Sequence, residues 1–117
     1  MHELAIVEAL IDQVRREVRR AGQNGRVTRV ELAIGRLSGV HCDSLRFAFE
    51  LLAPGTVVEG AKVAIDQPRA VCCCQDCGAR EEIDELVVEC PRCRSGRITI
   101  EEGRQLFLQS IELEEVS

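Results

Sequence analysis

Apolar residues recur at helical spacing over the first twenty positions of the chain. Leu4, Val7, Leu10, Ile11, Val14 and Val18 share one face, and Glu8, Asp12, Arg15, Arg16 and Arg19 lie opposite, so this stretch reads as an amphipathic helix. Gly22 supplies its stop. The arginines at 15, 16, 19 and 20 are the solvated face of such a helix and are given no function. From Val27 to Ile34 the period changes to two. Thr28, Val30, Leu32 and Ile34 alternate with Arg29, Glu31 and Ala33, which predicts a strand ending at Gly35. Asp43 reads as the cap of a second, shorter helix, in which Leu45, Ala48, Phe49 and Leu52 keep the 3.6 period until Pro54-Gly55 stops it. Val63 and Ile65 before Pro68 predict another strand, and the run from Leu106 through Leu108 to Leu113 predicts a last one. Between about Ala70 and Gly103 the apolar periodicity fades and cysteines concentrate. That segment reads as an inserted module stabilised by metal, after which the final strand returns to the first domain.

Composition narrows the class. A chain of 117 residues holds one ordinary core and a small appended module. The apolar fraction of 45% against 30% charged residues is that of a folded globular protein. Met1, His2 and Glu3 open directly onto Leu4 with no basic stretch, so no secretory signal is expected, and Glu8 and Asp12 break the apolar stretches that a membrane span would need. Seven cysteines in such a chain point to the reduced cytoplasm rather than to a disulfide framework. The net charge of -5 argues against nonspecific attraction to nucleic acid or anionic membrane.

The cysteines then have a different explanation. Cys74-Gln75-Asp76-Cys77 and Cys90-Pro91-Arg92-Cys93 are two Cys-x-x-Cys pairs separated by twelve residues, close to the spacing of zinc ribbons. A two-residue gap lets one tight turn aim both thiolates at one ion, and two such turns complete a tetrahedron. Gly78 and Ser95-Gly96 stand where such turns need flexible positions. A redox dithiol needs one pair at a helix start, not two matched pairs, and an iron-sulfur cluster would accept the same four thiolates in a different setting. Four protein thiolates leave zinc no open position, so Zn(II) held by Cys74, Cys77, Cys90 and Cys93 would be structural. Cys72 and Cys73 crowd the first turn, and Cys73 could replace Cys74 with a three-residue gap. Cys42 beside His41 reads as a buried or surface thiol rather than a nucleophile with its base.

The amino terminus offers a second donor set. The amine of Met1 and the deprotonated amide of His2 can close one chelate ring on a metal, and that amide with the imidazole can close another. Glu3 can add a fourth donor through its amide or carboxylate. This tetragonal N/O set suits Ni(II) or Cu(II). The same residues also fit the plain start of a helix, with Glu3 placed favourably near its dipole. The residues by themselves leave both readings open.

Taken together, Met1-His2-Glu3, the Gly35-Arg36-Leu37-Ser38-Gly39-Val40 segment, Phe47-Ala48-Phe49-Glu50, Glu59-Gly60-Ala61 and the two cysteine pairs resemble the HypA/HybF family of nickel-insertion chaperones for [NiFe] hydrogenase maturation. The resemblance implies an α+β fold: a small three-stranded antiparallel sheet with two helices, formed by residues 1–69 and 104–117, and an inserted four-cysteine zinc ribbon at 70–103. It implies a carrier rather than an enzyme, with Ni(II) bound by Met1 and His2 with Glu3 beside them and transported, and Zn(II) held structurally. A HypB-type GTPase and the [NiFe] hydrogenase large subunit are the implied partners, with the chain acting as monomer or homodimer. Histidines that some relatives carry near the cysteine pairs have no counterpart here. A nucleic-acid module is disfavoured, because residues 70–103 hold eight Asp or Glu against four Arg and all three Phe lie outside them. An enzyme is disfavoured by the lack of a phosphate loop, a dinucleotide fingerprint or an acid-base pair. A zinc-ribbon protein-interaction module without nickel transfer is the alternative.

Overall fold

The computed structural model describes the backbone of residues 2–22 and 25–114, and side chains from Glu3 onward. Among the described residues, two helices, α1 (His2–Arg20) and α2 (Cys42–Leu52), accompany six strands: β1 (Arg26–Ile34), β2 (Lys62–Asp66), β3 (Ala70–Cys74), β4 (Arg80–Ile83), β5 (Ile98–Glu101) and β6 (Leu106–Glu114). They form two three-stranded sheets, β2-β1-β6 and β4-β3-β5. In the first, the chain's last strand returns to lie beside β1. Thr28 Oγ1 donates to the Glu112 carbonyl at 3.3 Å and Ser110 Oγ to the Glu31 carboxylate at 2.9 Å, so residue numbers rise on one strand as they fall on the other. That is antiparallel pairing.

The chain divides into two compact units, one of residues 1–32, 40–65 and 108–117 and one of residues 33–39 and 66–107. In the first, α1 packs against α2. Val7, Leu10, Val14 and Val18 of α1 are buried with Val27, Val30 and Leu32 of β1 and Leu45, Ala48 and Phe49 of α2, the faces that the 3.6 and 2.0 periods mark. The end of α1 is closed by Gly22, in a left-handed conformation at φ 67°, whose amide donates to the Arg19 carbonyl at 3.1 Å.

The start of α2 departs from the expectation. The cap is His41, not Asp43: its backbone is extended, and its ring Nδ1 accepts from the Ser44 amide at 3.2 Å. Imidazole here takes the part usually played by a Ser, Thr or Asp oxygen. Asp43 lies inside the first turn, where its charge still complements the helix dipole.

In the second unit, β3 pairs antiparallel with both β4 and β5. Ala70, Cys72 and Ile83 are buried there, with Leu37, Val87, Ile98 and Ile100 packed against them. The ribbon's cysteine turns were expected on neighbouring strands with no bounds assigned to them, and three strands are present. Along β3 the inward positions are Ala70, Cys72 and Cys74, so small residues and thiols occupy the places where Val or Ile would have made the alternation visible. Residues 35–39, the Gly-Arg-Leu-Ser-Gly segment, also belong to this unit. Gly35 donates to the Gln105 carbonyl at 2.8 Å and Leu37 to that of Gly103 at 2.6 Å. A Cβ on Gly35 would collide with the Gly103 backbone, so this close approach of two chains requires glycine. Arg36 and Arg69 both donate to the Asp84 carboxylate, at 2.9 and 2.8 Å, and Arg69, then Arg36, hold that carboxyl below its ordinary range.

Candidate metal centre

Four thiols converge in the second unit. Sγ atoms of Cys74, Cys77, Cys90 and Cys93 all lie within 4.8 Å of one another, with Cys74 to Cys93 at 3.5 Å and Cys77 to Cys90 at 3.7 Å. A disulfide is about 2.05 Å, so these are separate thiols. A tetrahedron with metal-sulfur distances of about 2.3 Å has edges of about 3.8 Å, and the cluster has that size. Cys74 comes from the end of β3 and Cys77 from the turn after it, while Cys90 and Cys93 come from the loop before β5.

The two turns repeat one geometry. Cys74 Sγ accepts from the amides of Asp76 and Cys77, both at 3.4 Å, and Cys90 Sγ from those of Arg92 and Cys93, at 3.4 and 3.5 Å. The next residue closes each turn: the Gly78 amide donates to the Cys74 carbonyl and the Arg94 amide to the Cys90 carbonyl, at 3.1 and 2.9 Å. Gly78 is left-handed at φ 73°, as expected. In the second turn that conformation falls on Arg94, at φ 65°, and not on Ser95 or Gly96. The spacing located the turn but placed its strained residue one or two positions late.

Electrostatics ask for a cation. The Cys77 and Asp76 amides lower the Cys74 thiol to about 7, and the Cys93 and Arg92 amides lower that of Cys90. At Cys93 the Ser95 amide pulls downward, but the Cys74 sulfur, burial and the other two sulfurs outweigh it and push this thiol up to about 12. Cys77 is also raised, the pull of the Ala79 amide being outweighed by burial and by Cys90 and Cys74. Four thiolates cannot gather at this distance without a multivalent positive charge between them.

The other cysteines stand apart. Cys72 is buried in the core, where burial raises its thiol. Cys73 faces Arg80, whose guanidinium donates to its Sγ at 3.1 Å, so the cluster uses the two-residue register through Cys74. Cys42 is half-buried, which raises its thiol, and the His41 ring is turned to Ser44; no thiol-imidazole couple forms. Two polar links that the motif did not reveal join the cysteine turns to their surroundings: Arg92 to Glu81 at 2.7 Å, and Arg97 to Asp76 at 2.8 Å.

At the amino terminus, the residue Met1 and the side chain of His2 lie outside the described residues. Glu3 lines a cavity of about 350 Å³ in the first unit, with Leu4, His41, Asp43, Phe47 and Leu51 among its walls. Phe47 and Leu51 are more than half exposed.

Comparisons with known proteins agree along nearly the whole length. A family model described as hydrogenase/urease nickel incorporation, metallochaperone, hypA, matches residues 1–113. The chain is 44% identical over 115 residues to the hydrogenase maturation factor HypA of Chlorobium limicola, covering 98% of each chain. It is 35% identical to that of Methanocaldococcus jannaschii, covering 97% of this chain and 98% of the relative. The solution structure of the Ni metallochaperone HypA from Helicobacter pylori matches at a TM-score of 0.67 and 25% identity, over 99% of this chain and 100% of that one.

Proposed function

Because the chain belongs to the HypA family of nickel-incorporation metallochaperones, we propose that it binds Ni(II) at its amino terminus and delivers it to the large subunit of a [NiFe] hydrogenase during maturation. The observation that carries this reading is the family match extending from the first residue, so that Met1-His2-Glu3 falls within it. The curated relatives are named for hydrogenase maturation, which selects hydrogenase from the two enzymes in the family's description.

The chemistry supports the terminus as a nickel site. The amine of Met1, the amide and ring of His2, and Glu3 form a nitrogen-rich tetragonal set. α1 begins at His2, and the first amides of a helix have no intrahelical carbonyl to donate to. Metal binding at the His2 amide therefore breaks no helical hydrogen bond.

Cys74, Cys77, Cys90 and Cys93 hold Zn(II). The site's size and its four sulfur donors fit that ion, and a full thiolate set leaves no position for cargo. Zinc therefore supports the fold of its unit, and nickel is carried elsewhere. The chain works in the cytoplasm, as monomer or homodimer, with a HypB-type GTPase as its partner.

The test is transfer. Nickel-loaded protein, freed of unbound metal and mixed with the nickel-free large subunit, should pass nickel to it, and the His2→Ala protein should pass none while keeping its zinc. Equal transfer by both proteins would refute the terminal site.

A further inference from the structure

The residues between and after the cysteines are not spacers. Gln75 and Asp76 lie between the first two cysteines; Ser95 and Arg97 follow the last. Asp76 Oδ2 accepts from Ser95 Oγ, and Asp76 Oδ1 accepts from the Arg97 guanidinium at 2.8 Å. A second guanidinium nitrogen donates to Gln75 Oε1 at 3.3 Å. The Arg97 amide donates to Ser95 Oγ at 3.0 Å, and the Gln75 amide donates to the Arg97 carbonyl at 2.9 Å. One turn is thereby tied to the chain leaving the other.

We propose that Asp76, Ser95 and Arg97 form a polar clasp that holds the two cysteine turns closed around the metal ion and sets how slowly it is released. The proposal rests on the zinc reading given above. Cys74 and Cys90 are buried, whereas Cys77 and Cys93 are exposed, so ligand loss begins at the exposed pair. Asp76 is the neighbour of Cys77, and Ser95 lies two residues beyond Cys93. Separating those two thiolates requires breaking the bonds that join Asp76 to Ser95 and Arg97. Charge acts in the same direction: zinc with four thiolates is a dianion, and the Arg97 guanidinium offsets both it and the Asp76 carboxylate beside it.

Such a clasp is distinguishable from a general stabilising contact. Arg97 and Asp76 side chains are 68% and 42% exposed, and an ion pair this open adds little to folding stability. Groups that orient metal ligands from outside commonly change metal affinity by about 10- to 100-fold. These are positioning residues whose effect is read directly in the rate of metal loss.

The experiment measures the rate at which the full-length zinc-loaded protein loses zinc to excess chromogenic chelator. Arg97→Gln and Asp76→Asn should each lose it about 10- to 100-fold faster than the native chain, with one zinc at the outset and unchanged circular dichroism. The double variant should accelerate loss by less than the product of the two single effects, because both remove the Asp76–Arg97 bond. Arg97→Lys should fall between native and Arg97→Gln, since an ammonium cannot reach both partners as a planar fork does. Arg94→Gln removes an equal charge three residues away and should stay near the native rate. Ser95→Ala deletes only a hydroxyl, and should accelerate loss even if a charge variant fails to fold. Native rates in both Asp76→Asn and Ser95→Ala, or equal acceleration by Arg94→Gln and Arg97→Gln, would overturn the clasp. Native protein purified without zinc would instead overturn the metal assignment beneath it.

Discussion

Arg94 occupies a conformation that suits glycine, and its counterpart in the first cysteine turn is Gly78. Left-handed backbone costs an ordinary residue roughly 1–2 kcal/mol, partly offset by the entropy that a glycine loses on folding, roughly 0.5–1 kcal/mol. Arg94→Gly should therefore raise the stability of the zinc-loaded protein by about 0.5–1 kcal/mol in denaturant titrations; an unchanged or lower midpoint would mean that the arginine is unstrained. At this scale the sequence is readable where chemistry is local. The four cysteines are recognisable because a two-residue gap is itself the geometry of the site. Arg97 and Asp76 are not, because they are 21 positions apart and only the fold brings them together. His41 was overlooked as a cap because imidazole seldom fills that place, and Asp43 is the more usual cap residue.

The two cysteine turns behave as one titrating element. With Cys77 raised and Cys93 pushed up to about 12, both carry protons in the metal-free protein at mildly alkaline pH, while Cys74 at about 7 is largely ionised. Zinc binds thiolates, so protons compete with it, and affinity must fall as pH falls. Binding near pH 8 should release at least two protons, one each from Cys77 and Cys93. The apparent dissociation constant should then weaken by about 100-fold or more per pH unit. Calorimetry in buffers of different ionisation enthalpy counts those protons, and release of none would contradict the predicted protonation of this pair. The elements outside the ribbon were legible: α1 follows its period of 3.6, and β1, β2 and β6 lie where alternation placed them. The ribbon was expected, but its strands were not placed, for a physical reason: β3, as long as β2, is built inward from alanine and cysteine, which a hydrophobic pattern does not register. The Gly-Arg-Leu-Ser-Gly segment was visible as a motif, but its role was not, since Gly35 matters through its contact with residues nearly 70 positions away.

For the whole molecule, the proposed function separates a metal that shapes the protein from a metal that the protein carries. On the proposed reading the four-thiolate cluster is filled by zinc, so cargo would bind by other donors, and Met1-His2-Glu3 offers the donor types that nickel favours. Family membership was legible because its motifs run in order from Met1 to the second cysteine pair, and the proposed terminal chelate was one of two readings that Met1, His2 and Glu3 left open. Its dependence on a free amine makes the claim testable by geometry. Nickel titration should compare the native chain with a variant carrying two extra residues before Met1, which moves the amine away from the His2 ring but leaves every native residue in place. The native chain should bind nickel stoichiometrically, the extended one should lose specific nickel binding, and both should contain equal zinc. Equally tight nickel binding by the extended protein would contradict the terminal site.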